Sequence, residues 1–314
     1  MAVALVFPGQ GSQSLGMMSA LAARFPLLRS CFAQASAALD LDLWELASVG
    51  PAERLNMTEY TQPLMLTAGV ATFRIWREGG GAAPAVVSGH SLGEFTALVC
   101  AETLSFEAAV KLVHARGQIM QRAVRPGEGA MAAILGLADD AQVEAICAEA
   151  AQGQVVEAVN FNAPSQVVIA GHTAAVERAM QLASARGAKR VLRLPVSVPA
   201  HSSLLRAASS ELERTLAQLP LSAPRYRYVS AMDAREHADP NDIRTTLVRQ
   251  LASPVRWTDT VRALLAHAPT LIECGPGKVL TGLNRRIART AQCLAVEDPE
   301  SLTAALSATG AAGG

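Results

Sequence analysis

The sequence is short of aromatic residues, at 4%, and of charged residues, at 17%. Its charges also cancel, with 27 Lys and Arg against 27 Asp and Glu. Scarce aromatics beside 50% hydrophobic residues predict a large aliphatic core of Ala, Val and Leu packed between helices and a sheet. The missing basic excess excludes a protein built to coat nucleic acid, so an acidic partner has to be met by a local patch. No apolar run approaches the roughly 18 residues of a membrane span, and no membrane partner is expected. The five cysteines, Cys31, Cys100, Cys147, Cys274 and Cys293, include no C-x-x-C pair. Odd in number and widely spaced, they predict neither a metal site nor a disulfide framework, and reduced thiols in the cytoplasm are the expectation. The first apolar segment has no Lys or Arg before it and stops at Pro8, which argues against a secretory signal. The tail from Ala308 to Gly314 is small and featureless and is expected to be disordered.

What is present, over 314 residues, suffices for one large domain or a large and a small one. Ala2–Phe7 is continuously apolar and closed by Pro8-Gly9, the pattern of a fully buried strand in a parallel sheet. Helical spacing runs through about Ala20–Leu39, broken by Pro26, and through Pro63–Arg77, Glu94–Ala101 and Phe106–Arg122. After Pro126-Gly127-Glu128-Gly129 the rhythm changes. Strands are expected at Met131–Leu135, Val155–Asn160, Gln166–Ala170 and Arg190–Leu194, and helices at Asp139–Ala151 and Thr173–Arg186, with Thr173 as N-cap. That order, β-α-β-β-α-β, is the ferredoxin-like unit. Alternating helices and strands then resume: Ser202–Leu219, Tyr226–Val229, Asp242–Leu251, Thr258–His267, Thr270–Glu273 and Val279–Ala288. The reading is an α/β protein: a large domain over 1–125 and 199–314, with a small ferredoxin-like subdomain inserted over 126–198.

Gly89-His90-Ser91-Leu92-Gly93 carries the chemistry. It follows the apolar run Ala85–Ser88 and precedes a helix, so Ser91 sits at a strand–turn–helix corner, the nucleophile elbow. Such a serine needs a base. Of six histidines, His90 is adjacent to Ser91 and points away, while His114, His172, His237 and His267 sit in helical, turn or polar stretches. His201 closes the segment Leu194–Ala200, where a strand leaves the sheet and open α/β folds build their sites; an ordinary turn histidine is the alternative. The loop Pro8–Gln13 reads equally as a tight turn or as a source of oxyanion donors. Arg116 lies among apolar neighbours and suits either a surface position or a buried grip on a substrate carboxylate. Lys189-Arg190 with Arg193, and Arg285-Arg286 with Arg289, are basic clusters that read as solvated faces or as a docking surface.

These segments resemble the malonyl-CoA:acyl carrier protein transacylase family. Val6–Gln13, Thr58–Pro63, Gly89–Glu94, Arg116–Met120, Val159–Pro164, Pro199–Ser202, Leu251–Trp257 and Glu273–Leu280 stand in order, so the resemblance spans about residues 3–290. It implies an α/β-hydrolase-like core carrying the ferredoxin-like subdomain, and transfer of malonyl from malonyl-CoA to the phosphopantetheine thiol of acyl carrier protein for fatty acid synthesis. It implies Ser91 as nucleophile, His201 as base, Gln250 as the residue whose carbonyl orients the histidine, and Arg116 as the grip on the malonyl carboxylate. Backbone N–H groups of Gln10 and Leu92 are implied as the oxyanion hole, and Asn160 and Asn162 as cleft residues near the substrate. No cofactor and no metal are implied, and the family precedent is a monomer. Ala200 departs from the Ser or Phe common before the histidine, which bears on selectivity at the α-carbon. The alternatives are a discrete acyltransferase of polyketide synthesis, a malonate decarboxylase subunit, or a serine thioesterase or hydrolase. The last would want an acid between nucleophile and histidine; Asp139 and Asp140 fall there but suit helix capping better.

Overall fold

The computed structural model describes residues 1–196 and 198–310. Its strands are β1 (Val3–Phe7), β2 (Val86–Gly89), β3 (Gly129–Leu135), β4 (Val156–Ala163), β5 (Gln166–His172), β6 (Arg190–Arg193), β7 (Arg227–Val229), β8 (Glu236–His237), β9 (Thr270–Cys274) and β10 (Gln292–Val296). They form two sheets, one of order β10-β9-β1-β2-β7-β8 and one of order β4-β5-β3-β6. The protein is α/β, with an α/β-hydrolase-like parallel core and a ferredoxin-like antiparallel sheet. In the first sheet every pairing is parallel except the closing β7–β8 hairpin. Helices cover it on both faces, so β1 and β9 are buried at every residue, which is why their sequences are apolar runs without alternation.

The second sheet obeys the other rule. Ala130, Ala132 and Ile134 of β3 pack with Val143, Ile146 and Val176 of the two overlying helices. Met131 and Ala133 turn the opposite way, beside Val159 and Val168, and meet Leu194, Val196 and Ala200. Alternate residues thus face two cores, as a period of two requires. The second face looks toward the large body, and Ala200 is the residue before His201.

Four local expectations are corrected. The helix drawn from Pro63 begins at Thr58, with Pro63 inside it. Proline cannot donate to the carbonyl of Glu59 four residues back, and that carbonyl accepts instead from His114 Nδ1 at 2.9 Å. Thr173 is the first helical residue and His172 the N-cap; the Thr173 hydroxyl donates to the Gly127 carbonyl. Beyond Ala288 the chain adds β10 and a helix, Pro299–Ala308, capped by Asp298. Within the expected tail Thr309 is buried and donates to the Ala305 carbonyl, while 311–314 fall outside the described residues.

Candidate active site

β1 and β2 lie side by side at the centre of the large sheet, and their carboxyl ends open into one crevice. β2 ends at Gly89, and the helix Gly93–Cys100 begins four residues later. A Cβ on Gly89 would stand 1.9 Å from the Gly93 carbonyl carbon, and one on Gly93 would stand 2.0 Å from the Phe7 carbonyl oxygen. Only glycine lets the turn close this tightly against β1. Ser91, at its apex, has φ 52°, a left-handed conformation costing a non-glycine residue about 1–3 kcal/mol.

His201 pairs with it. Its Nε2 is 2.7 Å from Ser91 Oγ, and its Nδ1 is 2.9 Å from the Gln250 carbonyl oxygen. A carbonyl accepts only, so Nδ1 carries the proton and Nε2 presents its lone pair to the serine. His201 also has a left-handed backbone, φ 68°, and its N–H donates to the Leu251 carbonyl at 3.2 Å. The ring is buried. Burial first, and the nearby positive charge of Arg116 second, push its pKa down to about 3, so the imidazole is neutral at physiological pH. Asp139, which a hydrolase reading would recruit, caps a helix of the small subdomain by accepting from the Gln142 N–H.

Arg116, on the helix Phe106–Arg122, is 1% exposed, which decides against the surface position its sequence also allowed. Its Nη1 donates to Gln62 Oε1 at 2.9 Å; its Nη2 donates to Gln250 Oε1 at 3.0 Å and reaches Ser91 Oγ at 3.3 Å. Its Nε has no partner among the described residues, and the guanidinium lies over the Phe95 ring at 5.3 Å. Every group touching it is neutral. Burial brings its pKa down to about 10, which leaves it positive at neutral pH. The carboxylate acting on it, Glu94, stands behind the Gln250 amide: Gln250 Nε2 donates to Glu94 Oε1 at 2.8 Å and to the Ser91 carbonyl at 2.9 Å. Glu94 is fully buried and also accepts from the Tyr228 hydroxyl; burial pushes its carboxyl above the usual range. The guanidinium therefore keeps its charge available to a carboxylate brought from outside.

The N–H groups of Gln10 and Leu92 donate to no acceptor among the described residues, and Leu92 lies at the start of the Gly93–Cys100 helix, where the field favours negative charge. Gln10 Nε2 is 3.4 Å from Thr58 Oγ1. The Asn162 side chain places its Oδ1 2.8 Å from Nε2 of His90, the residue before Ser91. The Asn160 side-chain oxygen is buried without a partner among the described residues. A cavity of about 470 Å³ opens onto His201 between Glu157 and Ala158 of β4 and Ala252 and Pro254 of the large body.

Sequence reasoning quoted Gln62, Glu94 and Tyr228 without a role or passed over them. The available signal was a polar side chain inside an otherwise apolar helix, as at Gln62 and Glu94. Their partners lie 54 and 156 residues away, so no local pattern names them.

The acyl transferase domain family matches residues 4–297 of the chain. The malonyl CoA-acyl carrier protein transacylase of Escherichia coli K12 is 53% identical over 304 residues, covering 96% of this chain and 98% of that protein. The malonyl CoA-acyl carrier protein transacylase structure from Coxiella burnetii superposes with a TM-score of 0.96 at 46% identity, over 98% of this chain and 97% of that one. A malonyl-transacylase solved in complex with a type II polyketide-synthase acyl-carrier protein superposes with a TM-score of 0.96 at 48% identity, covering 98% of this chain and 100% of that chain.

Proposed function

Because this chain belongs to the acyl transferase domain family, we propose that it moves a malonyl group from malonyl-CoA to the phosphopantetheine thiol of acyl carrier protein, by way of an ester on Ser91. It is an acyl-carrier-protein S-malonyltransferase that supplies fatty acid synthesis. One observation carries the reading: a buried arginine with only neutral partners stands 3.3 Å from the hydroxyl of a serine already paired to a neutral histidine. A plain acyl group gives Arg116 nothing to bind, whereas a malonyl group brings a free carboxylate to it while its thioester carbon faces Ser91.

The steps follow from the geometry. His201 Nε2 takes the Ser91 proton as Oγ bonds to the thioester carbon. The oxyanion turns to the N–H groups of Gln10 and Leu92, where losing one such donor costs about 10²–10³ in rate. The tetrahedral intermediate expels the coenzyme A thiolate, which takes the proton from His201. The carrier thiol then gives its proton to His201 and attacks the malonyl ester, and Ser91 leaves with the proton restored. Arg116 holds the malonyl carboxylate through both halves. Asn160 and Asn162 border the cleft on the small-subdomain side. The unit we take for this work is a monomer, since all four of Ser91, His201, Arg116 and Gln250 come from one chain, and its place the cytoplasm, where the five free cysteines stay reduced. The inserted region 126–198 and the body 1–125 with 199–314 act as its two parts.

Mass spectrometry of the intact protein after brief mixing with malonyl-CoA tests this reading. A malonyl adduct on the wild type, absent from Ser91→Ala and discharged onto added carrier thiol, is the expected outcome. Release as free malonate, with no malonyl-carrier formed, would make the protein a hydrolase. The 48%-identical transacylase was solved with a polyketide-synthase carrier, so carriers from fatty acid and polyketide synthesis are compared side by side.

A further inference from the structure

Two side chains of β4 reach out of the small sheet to the chain on either side of the proposed catalytic pair. Asn162 Oδ1 lies 2.8 Å from Nε2 of His90, the residue before Ser91. Burial holds His90 neutral, so its ring donates this bond through a single N–H, and the ring is also seated against Trp257 with centroids 5.6 Å apart. Glu157 accepts from both the Ser203 N–H and the Ser203 hydroxyl, each at 2.7 Å, two residues after His201. The β4 backbone supplies a third tie. The Phe161 N–H donates to the Val255 carbonyl at 2.9 Å and the Val255 N–H donates to the Val159 carbonyl at 2.8 Å, just past the Gln250–Leu251 carbonyls that hold His201.

In a regular strand, side chains five residues apart point to opposite faces. β4 is not regular: its register with β5 shifts between Ala158 and Asn160 and again between Phe161 and Ala163. Irregularities of this kind re-aim side chains. Here they bring both Glu157 and Asn162 onto the large body, at the two places where it holds a left-handed, non-glycine backbone next to the reacting atoms. Such conformations persist only when their surroundings over-determine them.

We propose that Glu157 and Asn162 are positioning residues through which the small subdomain sets the Ser91–His201 geometry: Asn162 fixes the elbow by way of His90, and Glu157 fixes the base by way of Ser203. This rests on the assignment of Ser91 as nucleophile and His201 as base. Both act through the chain beside Ser91 and His201, so their loss is expected to change the rate of acylation more than the binding of malonyl-CoA.

The test uses the full-length protein and two readouts. One is acylation of Ser91 by malonyl-CoA. The other is labelling of Ser91 by a fluorophosphonate, which needs the activated hydroxyl but no carboxylate grip. Glu157→Ala and Asn162→Ala are each expected to slow both reactions by the same factor, about tenfold, because small displacements at a reacting centre carry rate penalties of this order. The KM for malonyl-CoA should stay within twofold. Glu157→Gln restores the rate, since its amide oxygen accepts the Ser203 N–H and its amide nitrogen donates to the Ser203 hydroxyl. If Glu157→Ala does not fold, Asn162→Ala and Glu157→Asp carry the test. Alanine variants labelled as fast as wild type overturn the proposal, as does Glu157→Gln remaining as slow as Glu157→Ala. Wild-type protein that takes neither label nor malonyl at Ser91 overturns the functional reading itself, an outcome visible before any variant is made.

Discussion

The two sheets divide the labour unequally. β1 and β9 of the large sheet are buried along their whole length, while β4 of the small sheet mixes buried and half-buried positions and β6 is mostly exposed. The large sheet, covered on both sides, can open a crevice only where its strands end, and there Ser91, Arg116, His201 and Gln250 meet. The small sheet keeps one face for its own helices and turns Met131, Ala133 and Val168 onto Leu194, Val196 and Ala200. It contributes none of those four side chains, only a wall and the hydrogen bonds of Glu157 and Asn162. A parallel core thus gathers these polar side chains at one end, and an antiparallel sheet is laid against that end.

The comparison breaks first at the elbow. Ser91→Ala is expected to lower malonyl transfer by about 10³-fold or more, because the covalent route is lost outright. A small-sheet substitution of similar severity, with the fold intact by thermal melting, would overturn the division of labour. Next comes Arg116→Ala. Leaving the incoming carboxylate buried without its partner should cost about 10²–10³ in kcat/KM for malonyl-CoA, with acetyl-CoA far less affected. Parallel assays of the two thioesters check this, and equal losses would remove the carboxylate-gripping role.

A smaller effect concerns pH. Since the pKa of His201 is depressed to about 3, Ser91 acylation should stay level from pH 8 down to about pH 5, without the decline near 6.5 of an ordinary histidine. Stopped-flow acylation across that range is the measurement. The same shift has a stability consequence. The unfolded chain binds a proton at this histidine below about pH 6.5 and the folded chain does not, so His201 contributes stability at neutral pH that is lost progressively as pH falls below that value. The smallest effect belongs to the small sheet's outer edge. Lys189 and Arg190 are exposed, whereas Arg193 is tied to Glu177 and Arg286 bonds the Gln166 side chain and the Pro164 carbonyl across the joint. Arg190→Glu should raise the KM for an acidic carrier by about three- to tenfold and leave that for malonyl-CoA unchanged. Steady-state kinetics with the carrier varied decides it, and an unchanged constant would retire that edge as a docking surface.

Legibility in the sequence followed burial and chain distance. The helix Phe106–Arg122 was readable to the residue, because its apolar stripe is strong and Ser105 caps it. β1 was readable because a strand covered on both faces needs no alternation. β10 was missed: Gln292–Val296 is five residues long and gains its burial by pairing with β9. At the site, the glycine-framed turn singled out Ser91 before any fold was known. From its own neighbours Arg116 was ambiguous, since a helical arginine among apolar residues fits a surface as well as an interior; only the family resemblance gave it a carboxylate to hold. Gln62 and Gln250, which hold it, are 54 and 134 residues away along the chain.

By itself the sequence determined the alternation of strands and helices, the inserted antiparallel unit and the corner that carries the hydroxyl, because each is encoded by neighbours within a few turns of chain. Tertiary structure alone decided that Arg116 lies inside with neutral partners, that Glu94 stands behind the Gln250 amide, and that Asn162 turns to His90. Those outcomes depend on which distant segments share a low-dielectric interior, where every buried donor needs an acceptor and only the completed fold brings one within reach.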